Sequence, residues 1–111
     1  MIDMNKPFGL TAITRQDLED MPCPIMASEL TDEQMQELAD YVESDVKREF
    51  PEVADEMFRL WGKSINGEEF SDEERDFLIT SNCEKANAYW WSAIEEYAVK
   101  ELGASYYEDI F

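Results

Sequence analysis

The sequence predicts an all-α protein, a small helical bundle in which two helices of moderate length pack on a long C-terminal helix. Two capping boxes support this, one with Thr31 and Gln34 and one with Ser71 and Glu74, and each precedes apolar residues at helical spacing. At 111 residues, 44% of them hydrophobic, the chain has the size and the apolar content of a single domain, spanning 1–111.

An irregular N-terminal strap is predicted for residues 1–30. Thr14 can cap one short helix, which ends after about a turn and a half because prolines on both sides of Cys23 remove backbone donors and restrict their neighbours. We expect residues 21–28 to lie extended over the helical body, with apolar side chains such as Ile25 turned inward.

The first long helix is predicted from Asp32 to about Glu49. Its apolar side chains recur in steps of three and four residues, which places them on one stripe at the helical period. They are Met35, Leu38, Val42, Val46 and Phe50, with Ala39 alongside. A second helix is predicted at 51–61, because Pro51 suits a first helical position and Gly62 is a natural stop.

The C-terminal helix is predicted at 72–102, after a loop with the turn signal Asn66-Gly67 and before Gly103. At 1.5 Å per residue it would be about 46 Å long, so we expect a kink or break near residues 81–82. One apolar stripe comprises Ile79, Cys83, Ala86, Trp90, Ala93, Ile94 and Tyr97, and a second comprises Ala88, Trp91, Ala98 and Leu102. A helix that is apolar on two faces is either central in its bundle or part of an interface.

The charge of the chain is strongly negative. Twenty-seven acids oppose nine bases, with no histidine, which gives a net charge of -18. Such a surface repels nucleic acid and anionic lipid headgroups, so we expect neither as a direct partner. No apolar run is long enough for a signal peptide or a membrane helix. We therefore expect a cytoplasmic protein in which Cys23 and Cys83 are reduced, with a disulfide as the alternative.

The sequence contains no recognisable catalytic, cofactor-binding or metal-binding motif. Without histidine, the commonest general base and metal ligand is missing, and the four glycines are too scattered for a nucleotide-binding loop. A string around Gly67 resembles the end of an EF-hand loop, but Phe58, Leu60 and Gly62 would then occupy positions that require oxygen ligands. We expect no enzyme activity, no cofactor and no bound metal.

The six residues at 106–111, Tyr-Tyr-Glu-Asp-Ile-Phe, resemble a Tyr-Tyr-x-Asp-Ile-Phe string of the antirestriction DNA mimics. These are small, acidic, helical phage proteins that inhibit restriction enzymes, and the composition of this chain is similar to theirs. The resemblance implies a non-catalytic inhibitor that binds a host defence or DNA-handling enzyme. It assigns no site residues.

The magnitude of the charge is compatible with DNA mimicry. A domain of this length is about 34 Å across, and duplex DNA of that length carries about 20 phosphate charges. The first long helix, residues 32–49, carries seven acids and two bases, a net charge of -5, where DNA would carry about 16 charges. Several helices would therefore have to present their acids on a shared surface.

We expect a non-catalytic acidic binding protein that engages a basic, nucleic-acid-binding protein by charge complementarity. The predicted contact residues are Glu33, Glu37, Asp40, Glu43, Asp72, Glu73 and Asp76, which would equally suit an ordinary solvated helix face. The alternative is a structural or assembly protein that forms homodimers through an apolar interface. Its predicted residues are Trp91, Tyr106, Tyr107 and Phe111. A small enzyme or enzyme subunit is the third hypothesis.

Overall fold

A computed structural model describes residues 3–22 and 24–106 and confirms the all-α bundle. Over these residues it contains α1 (Arg15–Glu19), α2 (Asp32–Glu49), α3 (Ala54–Ile65), α4 (Asp72–Leu78) and α5 (Ser81–Glu96), with a 3₁₀ turn at Ala27–Glu29 and a π-helical turn at Tyr97–Glu101. The same ranges contain no β-strand beyond isolated bridges. None of these helices is both long enough and apolar enough to cross a membrane.

The core is organised around α2, which contacts α3, α5 and the π-helical turn. The stripe predicted for α2 is fully buried from Met35 to Val46, and Met57 of α3 and Ile94 of α5 pack into the same core. Burying a side chain of this size stabilises a fold by about 1.5–3 kcal/mol. Such burial offsets the self-repulsion that a net charge of -18 imposes on the compact state.

The predicted helix starts are confirmed in their capping contacts. The Thr31 hydroxyl accepts from the Gln34 amide at 3.1 Å, the Ser71 hydroxyl accepts from the Glu74 amide at 3.2 Å, and each partner side chain accepts from the capping residue's own amide. Thr14 caps α1 in the same way. These contacts satisfy amides that have no partner inside the helix.

The bounds predicted for the second helix are wrong at both ends. Residues 51–53 form a turn, because the carbonyl of Phe50 accepts from the amides of Val53 and Ala54. At the other end the helix continues through Gly62, and its stop is Gly67, with a φ of 76°. Gly67 takes the left-handed conformation that closes a helix C-terminus, whereas Gly62 is an ordinary helical residue.

The long C-terminal helix is broken two residues before the predicted kink. The Thr80 hydroxyl accepts from the Cys83 amide at 3.4 Å and donates to the Phe77 carbonyl at 2.8 Å, which ends α4 and caps α5. The prediction that Ile79 belongs to the inward stripe is wrong, because the break leaves its side chain 71% exposed. The stripe is buried from Cys83, a free thiol, to Ile94.

The chain folds back on itself after the π-helical turn. Gly103 has a φ of 75°, and the Ala104 amide then donates to the Ala98 carbonyl at 2.9 Å. Tyr106 forms an antiparallel bridge with Ile25 of the strap. The C-terminal tail thus returns to the strap as far as Tyr106. Cys23, Tyr107 and Phe111 lie outside the described residues.

Candidate functional site

Most of the basic side chains form ion pairs with acids of the same chain. Seven of the nine bases form ion pairs with carboxylates of the described chain: Lys6, Arg15, Lys47, Arg48, Arg59, Lys63 and Lys100. Arg75 and Lys85 form none there. Where both partners are exposed, such pairs add little stability. Their effect on the surface is larger, since they leave few cations to neutralise the remaining acids.

Unpaired acids concentrate on α4 and on the loop before it. We call this region the α4 acidic surface; it comprises Glu68, Glu69, Asp72, Glu73 and Asp76. All five are exposed, and none has an ion-pair partner among the described residues. The structure therefore places three of the predicted contact residues, Asp72, Glu73 and Asp76, together on one short helix.

Helix stability alone does not account for all of this surface. Asp72 and Glu73 lie in the first turn of α4, where a carboxylate complements the helix dipole. Asp76 lies one turn later, four residues from Asp72, and like charges at that spacing destabilise a helix by about 0.2–0.5 kcal/mol. Asp76 and the exposed, unpaired acids of the loop therefore add negative charge to this surface without stabilising the fold.

The predicted acids on α2 form a second, partly engaged group. Glu33, Glu37 and Asp40 are exposed on successive turns. Glu37 accepts a hydrogen bond from the Tyr97 hydroxyl at 2.6 Å, and this contact raises the pKa of Tyr97 to about 12. The predicted contact residues therefore lie on two different helices, α2 and α4, and α4 packs on α5.

The prediction that Glu43 lies on the outer face is wrong. Its side chain is buried, and one carboxylate oxygen accepts from both the amide and the hydroxyl of Thr11, at 2.7 and 2.8 Å. The N-terminal loop covers it so closely that a Cβ atom at Gly9 would lie 2.6 Å from the same oxygen. The sequence held one signal of this, since Glu43 follows the inward-facing Ala39 by four residues.

A second buried carboxylate, Asp45, was not predicted. It forms an ion pair with Arg48, and its other oxygen accepts from the Tyr89 hydroxyl at 2.7 Å. That hydrogen bond to a carboxylate, with burial, raises the pKa of Tyr89 to about 12. Asp45 lies in a polar groove of about 190 Å³, on whose wall the half-exposed Tyr41 stacks on Tyr97 with ring centroids 4.3 Å apart.

The three tryptophans meet at a second groove. The ring centroid of Trp90 lies 5.2 Å from that of Trp61 and 4.7 Å from that of Trp91, both edge to face. Trp90 is buried, whereas Trp61 and Trp91 are half-buried. Trp91 is therefore neither fully covered by the strap nor free on the surface: it lines a cavity of about 330 Å³.

No metal-binding cluster occurs in the part of the chain that the structure describes: no three acids or cysteines converge there closely enough to hold an ion. Cys83 is buried, with no charged residue among its described hydrogen-bond partners.

Glu95 accepts from the Tyr106 hydroxyl at 2.8 Å, which holds the tail against α5.

Glu74 joins α4 to α3 and is the carboxylate most strongly affected by its surroundings. Lys63 donates to it at 2.9 Å, Arg59 donates to it at 2.9 Å, and the Ser71 amide also donates to it. The Lys63 ammonium, followed by the Ser71 amide and Arg59, lowers the pKa of Glu74 from 4.5 to about 2. A lowered folded-state pKa stabilises the fold above the unfolded-state value and ceases to do so as pH falls towards the folded-state value.

We therefore expect the free energy of unfolding to decrease as pH falls from about 4.5 to about 2, and the Glu74→Gln variant to lack part of this decrease. Urea denaturation at pH values across this window measures the effect. Glu73→Gln is the matched control, since Glu73 is exposed and has no ion pair among the described residues. Identical pH dependences for Glu74→Gln and the unsubstituted protein would contradict the assignment.

No protein-family model, curated protein or solved structure matches this chain.

Proposed function

We propose that the protein is a non-catalytic acidic inhibitor that engages a basic, nucleic-acid-binding protein by charge complementarity, as a DNA mimic does. The observation that carries this proposal is the α4 acidic surface. Its five carboxylates are exposed and unpaired within the described chain, while seven of the nine bases are held in internal ion pairs.

The dimensions of the molecule support the proposal. Its longest axis is 42 Å, and duplex DNA of that length carries about 25 phosphate charges at one per 1.7 Å. The chain carries a net charge of -18. A surface of this density attracts a basic protein over distances of about one Debye length, roughly 8 Å at physiological salt, and accelerates association at low ionic strength.

The way α4 is attached also supports a binding role. None of its residues is fully buried, and Phe77 and Leu78 are the half-buried side chains that hold it to the core. The ion pairs of Glu74 with Lys63 and Arg59 fix its other side. The helix thus contributes few contacts to the core and presents most of its surface to solvent.

The resemblance to the antirestriction DNA mimics points in the same direction. It rests on the string at 106–111, of which Tyr106 is described and packs against Ile25 and Glu95. In this proposal Tyr106 belongs to the scaffold, and the acids of α4 belong to the contact surface. The target is therefore a protein whose DNA-binding site is basic, and duplex DNA competes for that site.

The test is a charge-neutralising triple variant, Glu69→Gln/Glu73→Gln/Asp76→Asn. Proteins captured from a bacterial lysate by the unsubstituted protein are identified, and their dissociation constants are measured at low and high salt and with competing duplex DNA. At about 0.5 kcal/mol per exposed charge, we expect the triple variant to bind about 10-fold more weakly, chiefly through slower association.

The matched control is Glu52→Gln/Glu84→Gln/Glu101→Gln, which removes the same charge from exposed acids elsewhere on the chain. We expect it to weaken binding much less. Equal losses for the two variants would show that only net charge matters. Binding that neither salt nor duplex DNA weakens would contradict the proposed function.

A further inference from the structure

The groove that holds the three tryptophans has a composition unlike the rest of the surface. We call it the tryptophan groove; its walls are Thr11, Ala12, Asp17, Trp61, Ser64, Ile65, Asn87, Trp90 and Trp91. These residues include every tryptophan of the chain, one carboxylate and no base. An aromatic cavity with a single negative charge is suited to a cation, because the faces of aromatic rings attract positive charge and tryptophan does so most strongly.

Both outer tryptophans line the groove, and Trp61 also contacts Phe58, with ring centroids 5.6 Å apart. Trp61 and Trp91 both meet Trp90 edge to face, with interplanar angles of 68° and 81°, so neither stacks flat against it. Both outer tryptophans remain half-buried, whereas Trp90 is 6% exposed and forms the floor of the groove. A planar group that enters the groove can therefore reach the exposed part of either outer indole.

The floor carries an unused hydrogen-bond donor. The indole nitrogen of Trp90 is the one buried side-chain polar atom that has no partner in the described ranges. Buried indole N–H groups usually find an acceptor. The nitrogen is shielded from solvent, so it marks an unmet hydrogen bond beside the groove and is not itself open to a ligand there.

One wall of the groove carries a carboxylate with an oxygen that accepts no described hydrogen bond. Asp17 accepts from the Thr14 amide at 2.9 Å through its Oδ2 atom, as part of the cap of α1. Its Oδ1 atom has no described hydrogen bond. The cap fixes the side chain at the edge of the groove, so the free oxygen can accept from a donor on a cation there.

We propose that the tryptophan groove binds an arginine side chain of the basic partner. The guanidinium lies against Trp61 and Trp91 and donates to Asp17. Arginine is favoured over lysine because its planar group stacks on aromatic rings and donates from fixed directions. The inference rests on the proposed function. It adds a preference for arginine on the partner, which long-range attraction between charges does not by itself provide.

The probe is the blocked tripeptide acetyl-Gly-Arg-Gly-amide, titrated into the full chain while the three tryptophan indole N–H resonances are followed by NMR. Lysine and norleucine peptides are the comparisons. We expect the arginine peptide to shift the Trp90 and Trp91 resonances at the lowest concentration, the lysine peptide at a higher one, and the norleucine peptide not at all. Equal binding of the norleucine peptide would show an apolar site and overturn the proposal.

Substitutions at Trp91 separate attraction to a ring face from simple apolar burial. We expect Trp91→Leu to weaken arginine-peptide binding by about 2- to 30-fold and Trp91→Phe to weaken it less. Asp17→Asn keeps the acceptor for the Thr14 amide and removes the charge, and we expect it to weaken binding as well. Tyr41→Leu is the control, because Tyr41 is an exposed aromatic residue of the other groove. Unchanged affinity in Trp91→Leu overturns the proposal.

Two further measurements distinguish failure of the arginine site from failure of the proposed function. Indole shifts that appear with increasing protein concentration, without peptide, would show that a second copy of the chain fills the groove, which also overturns the proposal. The triple variant of the α4 acidic surface leaves arginine-peptide binding unchanged if the groove acts as proposed. If that triple variant weakens partner binding while Trp91→Leu does not, the proposed function stands and the arginine site falls.

Discussion

Replacing Arg15 by leucine is expected to destabilise the protein by about 2–4 kcal/mol. The guanidinium is 2% exposed, and its Nε and Nη2 atoms donate to the Leu30 carbonyl at 3.2 and 2.9 Å. Leaving a buried carbonyl without a donor costs about 1–3 kcal/mol, and the contact with the Phe8 ring at 5.7 Å adds about 0.5–2 kcal/mol. The ion pair with Asp32 adds less, because that carboxylate is half-exposed and also binds Lys6.

Urea denaturation of Arg15→Leu measures this loss. Arg75→Leu is the matched control, since Arg75 is exposed and has no ion pair among the described residues. We expect the control to change the free energy of unfolding by less than about 0.5 kcal/mol. Equal effects of the two substitutions would show that Arg15 does not join the strap to the start of α2.

The second large effect is expected at Glu43. In Glu43→Leu the amide and the hydroxyl of Thr11 both lose their acceptor. Hydrogen bonds to a charged group contribute about 1.5–3 kcal/mol, and the orphaned backbone amide adds its own desolvation cost. We expect a loss of about 2–4 kcal/mol, and a smaller loss in Glu43→Gln, which keeps one acceptor oxygen.

Thermal or urea denaturation of both Glu43 variants tests this expectation. Glu33→Leu is the control on the same helix, because Glu33 is exposed and has no described partner. We expect it to change stability by less than about 0.5 kcal/mol. A Glu43→Leu variant as stable as Glu33→Leu would contradict the buried position of this carboxylate.

Local physical chemistry explains which parts of the fold were predictable. A capping box needs only residues three positions apart, and the stripe on α2 needs only the helical period, so both were readable from the sequence. The ends of α3 were not, and the break before α5 was predicted two residues too late. Gly62 was the predicted stop and Gly67 was assigned only to a turn, and nothing local to these two glycines decides which of them ends the helix.

The candidate site was predictable only where its residues lie close together in the sequence. Asp72, Glu73 and Asp76 share one short helix, so their common exposure follows from the pattern alone. The burial of Glu43 depends on Thr11, 32 positions away, and that of Asp45 depends on Tyr89, 44 positions away. No periodicity within one helix encodes such pairings. The spacing of Glu43 from Ala39 indicates an inward position, but it does not identify the partner that makes burial of the carboxylate possible.

The tryptophan groove shows the same limit. Trp90 and Trp91 were assigned to different faces of α5 from spacing, and their unequal burial agrees with that assignment. The walls of the groove come from the N-terminal loop, α1, α3 and α5. A cavity built from four segments of the chain has no signature in any one of them.

The number of residues in the π-helical turn sets the path of the last described residues. The Leu102 amide donates to the Tyr97 carbonyl, five residues earlier, so this turn holds one residue more than an α-helical turn. Deleting one residue there would restore the α-helical register and rotate the exit of the chain by about 100°. Gly103 would then leave the helix from a different side, and Tyr106 would no longer face Ile25. This turn therefore acts as a spacer, whose residue count sets the direction in which the chain returns to the strap.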